Sequence, residues 1–257
     1  MGKILESILR KIEEDGILHF TLIDPDPQKQ SYEEAGDIAR KAEIAGTDAI
    51  MVGGSTIGGL IDKTVQSIKE NVSIPVILFP GNISGLSKFA DAMFFMSVLN
   101  SRNPYWITGI QVLGAPIIKR WGLETISMAY LILQPGGTVG FVSDANLLPR
   151  NKPELVASYA LAGQYMGFDL VYLEAGSGAN ENVPVETVAF TSRILEIPLV
   201  VGGGINTPEV AMELAKAGAA IVVQGTFVEQ GIRSNGGRKL KEIIEKLKSV
   251  SMSKEPW

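Results

Sequence analysis

Two glycine-rich segments near the C-terminal end carry the sharpest chemical signal. Val200-Val201-Gly202-Gly203-Gly204-Ile205 and Val222-Val223-Gln224-Gly225-Thr226 stand about twenty residues apart. Glycines let backbone N–H groups approach a phosphate with no Cβ in the way. Either run alone reads equally well as a plain turn; the pair points to a phosphoryl ligand. Upstream lies Tyr172-Leu173-Glu174-Ala175-Gly176-Ser177-Gly178. Period two places Tyr172 and Glu174 on one face of an extended run. A carboxylate on a buried face must be paired or functional. Glu174 is therefore a candidate general base on a substrate hydroxyl, with a salt bridge to a Lys or Arg as the alternative. Asp24, in Asp24-Pro25-Asp26, offers the hard oxygen donor that Mg²⁺ prefers. Its alternative is a turn former. Ser55 can face the same point, and can also cap the helix that follows. The lone His19 reads as a satisfied core residue rather than a catalyst. Met93-Phe94-Phe95-Met96, followed by Tyr105-Trp106, reads first as core and second as a seat for an apolar chain.

These residues need elements to hold them. Eight apolar runs read as strands: Ile17–Ile23, Ala49–Val52, Val76–Phe79, Ala92–Val98, Ser127–Leu133, Leu170–Glu174, Leu199–Val201 and Ala220–Gln224. They are continuous rather than alternating, as expected of strands buried on both faces. Helical patterns lie between them: Tyr32–Ala45, Ile57–Asn71, Thr108–Trp121, Pro153–Gly167, Val185–Glu196, Pro208–Ala217 and Lys239–Val250, with Lys3–Glu14 leading. Alternation of this kind implies a parallel sheet, and eight repeats favour a closed (β/α)₈ TIM barrel over an open sheet. Between Phe79 and Ala92 the short stretch Pro80-Gly81-Asn82-Ile83-Ser84-Gly85 leaves little room for a helix. The third helix is expected to be degenerate or missing. One domain over residues 1–257 is expected. The chemistry belongs at the C-terminal strand ends, where the last two loops of such barrels often bind phosphate.

Composition narrows the partners. The chain has 257 residues and a formal net charge of −5, which speaks against nucleic acid. It has no cysteine and one histidine, which excludes disulfides, a thiol nucleophile and a His₂ metal site. The N-terminus lacks the apolar core of a signal peptide, and Ala92–Leu99 is too short for a transmembrane segment. A cytoplasmic location is expected. Mean hydropathy is nonetheless +0.19, which suggests a homo-oligomer or an apolar ligand.

Several segments together resemble one family. They are Thr21-Leu22-Ile23-Asp24-Pro25-Asp26, Val52-Gly53-Gly54-Ser55, Leu78-Phe79-Pro80-Gly81, Tyr172 through Gly178, Val201-Gly202-Gly203-Gly204-Ile205 and Gly225-Thr226. The pattern resembles the geranylgeranylglyceryl phosphate synthase family, which also contains heptaprenylglyceryl phosphate synthases. The resemblance covers nearly the whole chain and is most specific over Tyr172–Gly178. It implies a prenyltransferase that joins the 3-hydroxyl of sn-glycerol 1-phosphate to geranylgeranyl diphosphate, forming the first ether bond of archaeal-type lipids. It implies Mg²⁺ on Asp24 and Ser55. It implies an acceptor site at Tyr172, Leu173, Glu174, Ala175, Gly176, Ser177, Gly178, Gly203, Gly204, Gly225 and Thr226. The smaller, bacterial-like branch has a Lys where this chain has Leu22, so the resemblance is to the larger branch. The rival donor is heptaprenyl diphosphate. The rival reaction class is a sugar-phosphate isomerase or lyase, which shares the phosphate loops but has no use for the metal Asp or the missing helix.

Overall fold

The computed structural model describes residues 2–54, 60–235 and 237–250. Eight parallel strands close in chain order into a barrel. They are β1 (Leu18–Ile23), β2 (Ala49–Val52), β3 (Val76–Leu78), β4 (Ala92–Val98), β5 (Glu124–Ile132), β6 (Leu170–Glu174), β7 (Leu199–Gly202) and β8 (Ile221–Gln224). The helices are α1 (Lys3–Asp15), α2 (Tyr32–Ala45), α3 (Ile61–Asn71), α4 (Ile110–Trp121), α5 (Gly137–Val142), α6 (Pro153–Tyr165), α7 (Val185–Ser192), α8 (Pro208–Lys216), α9 (Thr226–Asn235) and α10 (Arg238–Lys248).

Alternation sorts the strand side chains into two cores. Leu18, Phe20, Met51, Ile77, Phe94, Met128, Tyr172 and Val223 fill the barrel interior. Leu5, Ile8 and Ile12 of α1 belong to the same cluster, so α1 plugs the barrel. Its N-terminal amides are held by Glu124, whose Oε1 accepts from Ile4 N at 2.9 Å and Leu5 N at 2.8 Å. A carboxylate there satisfies orphan donors and complements the helix dipole. The opposite-facing set, including Val171, Leu173, Val201 and Val222, packs outward against the helices.

The gap after β3 is real. Residues between β3 and β4 form only a 3₁₀ turn, Ile83–Gly85, begun by Asn82, whose side chain accepts from Ser84 N at 2.8 Å. The third outer helix is thus absent. Other differences from the sequence expectation are local. β5 starts at Glu124 rather than Ser127, because the long β4 continues the pairing from Ala92↔Glu124. The expected helix Ile57–Asn71 is described from Ile61, and its first residues lie outside the described residues. A π-helical turn, Tyr105–Gly109, precedes α4. α7 stops at Ser192 rather than Glu196. Two helices, α5 and α9, fall where loops were expected.

Candidate active site

The closed topology gathers the chemistry-bearing residues at the C-terminal strand ends. Strands β6 and β7 pair Glu174 with Gly202, and β5 pairs Ile132 with Glu174. Tyr172 lies fully inside, its ring stacked on Phe79 at 5.7 Å and tilted against Tyr130 at 5.0 Å. Gly202 makes room for it: a Cβ there would sit 2.0 Å from the Tyr172 hydroxyl.

Glu174 is buried, and the hydrogen bonds around it all come from neutral donors. Its Oε1 accepts from Gly176 N at 2.6 Å and its Oε2 from the Tyr130 hydroxyl at 3.2 Å. Tyr172 donates a further hydroxyl hydrogen bond. Among the described residues no Lys or Arg forms an ion pair with it, so the structural salt bridge is not made. Burial pushes its carboxyl above the usual range, and the three hydrogen bonds only partly offset that. The same carboxylate pushes both tyrosine hydroxyls, already desolvated, well up. The result is a basic, oriented carboxylate.

Beside it lies a polar cavity of about 300 Å³, lined by Ser177, Gly178, Gly203, Gly204, Gly225 and Thr226 among others. Gly203 and Gly204 take φ of +86° and +69°, and both pack too closely for a side chain. A Cβ on Gly203 would meet Glu174 Oε1 at 2.6 Å; one on Gly204 would meet the Glu181 carbonyl at 2.5 Å. Ser177 Oγ and Thr226 Oγ1 are 3.0 Å apart and tie the sixth loop to the eighth. Thr226 opens α9, so the N-terminus of that helix borders the cavity and favours an anion there. Of the other expected residues, Leu173 and Ala175 pack in the outer core. Gly176 supplies its amide to Glu174.

Asp24 follows β1. Its N–H donates to Glu229 Oε1 at 3.0 Å, its carbonyl accepts from Gln30 Nε2 at 2.6 Å, and its carboxylate pairs with Lys29. Gly54 faces that carboxylate, and a Cβ there would lie 2.6 Å from Oδ1. Ser55 lies outside the described residues. Among the described residues no cluster of three metal-ligating side chains occurs. The donor set nonetheless fits a hard cation of the Mg²⁺ type, which takes one or two carboxylates and completes its shell with water and substrate phosphate oxygens. The bare Gly54 leaves space for it. Glu229 and Lys29 escaped the sequence reading. The available signal for Glu229 was the i, i+4 pair Val228 and Ile232 just after Gly225.

A second cavity, of about 350 Å³, is predominantly apolar. It runs from Asp24, Glu174 and Thr226 at the rim to Phe79, Ile83, Leu86, Trp106 and Ile118 beside β3 and β4. It lies where the third helix is missing. All four residues of Met93-Phe94-Phe95-Met96 line it. His19 lies elsewhere: it is fully buried, with Nδ1 2.9 Å from Thr47 Oγ1 and Nε2 3.0 Å from Gln224 Oε1. It is a satisfied core residue.

Comparison with known proteins finds relatives that match nearly the whole chain. Residues 9–247 match the model of the PcrB family. The chain is 55% identical over 251 residues to the geranylgeranylglyceryl phosphate synthase of Pyrococcus abyssi, covering 96% of this chain and 99% of that one. It superposes with a TM-score of 0.92 on (S)-3-O-geranylgeranylglyceryl phosphate synthase from Thermoplasma acidophilum in complex with its substrate sn-glycerol-1-phosphate. That match is at 45% identity over 97% of this chain and 100% of the other. An N-acetylmannosamine-6-phosphate 2-epimerase from Clostridium perfringens, 17% identical with a TM-score of 0.58 and covering 85% of this chain and 91% of its own, shares the fold alone.

Proposed function

The chain belongs to the PcrB family and is a prenyltransferase, and we propose that it joins sn-glycerol 1-phosphate to geranylgeranyl diphosphate with the help of Mg²⁺. One observation carries this reading. The polar cavity and the apolar cavity meet, and Glu174, Ser177, Gly178, Gly225 and Thr226 line both. A phosphorylated acceptor and an apolar donor would therefore meet beside a buried carboxylate. The acceptor phosphate sits against the glycine loops and the start of α9. The prenyl tail lies along Phe79, Met93 and Trp106, in the space of the missing helix.

In the reaction the acceptor 3-hydroxyl oxygen bonds to C1 of the donor, and the C1–O bond to diphosphate breaks. Glu174 takes the hydroxyl proton, held in place by Tyr130, Tyr172 and the Gly176 amide. Asp24, with Ser55 as the partner expected from the sequence, would hold the Mg²⁺, and the chemistry such an ion would supply there is neutralisation of charge on the leaving diphosphate. Holding both substrates in line supplies much of the acceleration.

The geranylgeranyl donor is preferred over heptaprenyl because the Pyrococcus, Thermococcus and methanogen relatives carry the geranylgeranyl name. We place the reaction in the cytoplasm; no helix among the described residues is long and apolar enough to cross a membrane. We also propose a homo-oligomer, since Phe141, Tyr165 and Met166 are left 88%, 78% and 67% exposed. The deciding experiment incubates the protein with Mg²⁺, labelled geranylgeranyl diphosphate and either sn-glycerol 1-phosphate or its 3-phosphate enantiomer. A butanol-extractable product with the 1-phosphate alone is expected. Product with neither acceptor removes the reading, and faster turnover with heptaprenyl diphosphate replaces the donor.

A further inference from the structure

The mechanism above gives Lys29 no task, yet its ammonium group pairs with Asp24 Oδ2, and both residues line the apolar cavity at its rim. The Lys29 side chain is half exposed while Asp24 is only 18% exposed. An ion pair open to solvent on one side is weak and exchanges readily. Asp24 does not depend on it for position. Its backbone is fixed by Glu229 Oε1 and Gln30 Nε2, and Asp26 N donates to its Oδ1 at 3.2 Å. The carboxylate stays where it is when the ammonium leaves.

The surroundings call for a cation at all times. Asp24, Asp26 and Glu229 all act electrostatically on Lys29. Glu229 is itself buried, beside the Asp24 backbone N–H that donates to its Oε1. Three acidic groups beside a diphosphate would repel it unless positive charge lay between them. Lys29 carries a flexible four-carbon stem and is half exposed, which gives its ammonium reach to either neighbour.

We propose that Lys29 is a placeholder cation: it neutralises Asp24 while the divalent ion is absent and, once displaced, turns its ammonium to the leaving diphosphate of the donor. The proposal rests on the reading of Asp24 as the metal ligand. It has two separable consequences. Removing the ammonium frees Asp24 and tightens metal binding. Removing it also takes a charge-assisted contact from the diphosphate.

Both are read by binding alone. Mn²⁺ affinity is measured by electron paramagnetic resonance on the wild-type protein and on K29M, K29R and D24N. Affinity for the manganese complex of inorganic pyrophosphate is measured by calorimetry. K29M is expected to bind Mn²⁺ about two- to five-fold more tightly, the range of a part-exposed ion pair. It should bind pyrophosphate about ten-fold more weakly, with K29R restoring most of that loss. Unchanged or weaker Mn²⁺ binding in K29M overturns the placeholder role, and unchanged pyrophosphate binding overturns the diphosphate contact. D24N should lose at least about ten-fold in Mn²⁺ affinity. If D24N binds Mn²⁺ as the wild type does, the metal reading itself falls, whatever K29M does.

Discussion

Tyr130 donates its hydroxyl to Glu174 Oε2 at 3.2 Å across the β5–β6 pairing, while its ring faces Phe79 at 5.6 Å in the wall of the apolar cavity. One side chain thus touches both the base and the donor's path. Tyr130→Phe keeps the ring and removes one of the hydrogen bonds that stabilise the ionised carboxylate. The Glu174 carboxyl should rise further above its already raised position. The acid limb of the kcat–pH profile should move to higher pH, and kcat at neutral pH should fall about three- to ten-fold. An unshifted limb in a folded variant would detach Tyr130 from the base.

Glu174→Gln tests the base itself. The amide keeps size and can still accept from Gly176, but it has no basicity. A positioned base is worth about 10²–10⁴-fold in rate. The chemical step in single turnover should fall by that range, with sn-glycerol 1-phosphate binding by calorimetry changed much less. A collapse of binding with normal residual chemistry would make Glu174 an orienting group only.

Much of the fold that positions this site was legible in the amino-acid sequence. Strands β2, β4 and β6 and helix α2 match the sequence reading end to end, because continuous apolar runs and a capping box at Ser31 and Glu34 leave little choice. Helix α5 was not legible: its six residues include Gly137 and Gly140, poor helix formers that only tertiary packing holds in place. Glu229 and Asp24 are 205 positions apart and meet only because β8 closes on β1. No local pattern encodes that contact.

Asp24 and Gly54 make a paired prediction. Asp24→Asn leaves the backbone hydrogen bond to Glu229 intact, so the fold should persist while activity at low Mg²⁺ is lost. Gly54→Ala leaves the carboxylate in the sequence but places a Cβ 2.6 Å from Oδ1. It should raise the Mg²⁺ requirement about ten-fold or more without changing acceptor binding. Normal Mg²⁺ dependence in both variants would move the metal elsewhere.

The phosphate loops are best probed at Gly225. Gly204 is a poor choice, because its φ of +69° and its contact with the Glu181 carbonyl make any side chain distort the backbone. Gly225 is not in the left-handed region, and the nearest atoms to an added Cβ would be those of Leu22 at 3.5–3.6 Å, an ordinary contact. Gly225→Ala should fold normally and raise the KM for sn-glycerol 1-phosphate about ten-fold. The methyl group intrudes on the shared lining of both cavities. An unchanged KM would take the acceptor phosphate away from the eighth loop.

His19 gives a prediction about stability rather than chemistry. Burial lowers its pKa to about 4, against 6.5 for an exposed imidazole, and its Gln224 hydrogen bond and Asp48 only partly oppose that. The folded protein therefore holds the ring neutral, while the unfolded chain takes up a proton as pH falls through 6.5. The stability contribution is fully present above about pH 6.5 and declines between there and about pH 4, by roughly 3 kcal/mol in all. Urea midpoints measured from pH 7.5 to 4.5 should show that decline. His19→Gln keeps a polar group between Thr47 and Gln224 but cannot titrate. It should be less stable at neutral pH, through imperfect refit of a buried site, and should lose less stability than the wild type over the same interval. Equal slopes in the two proteins would mean that the acid sensitivity arises from other groups.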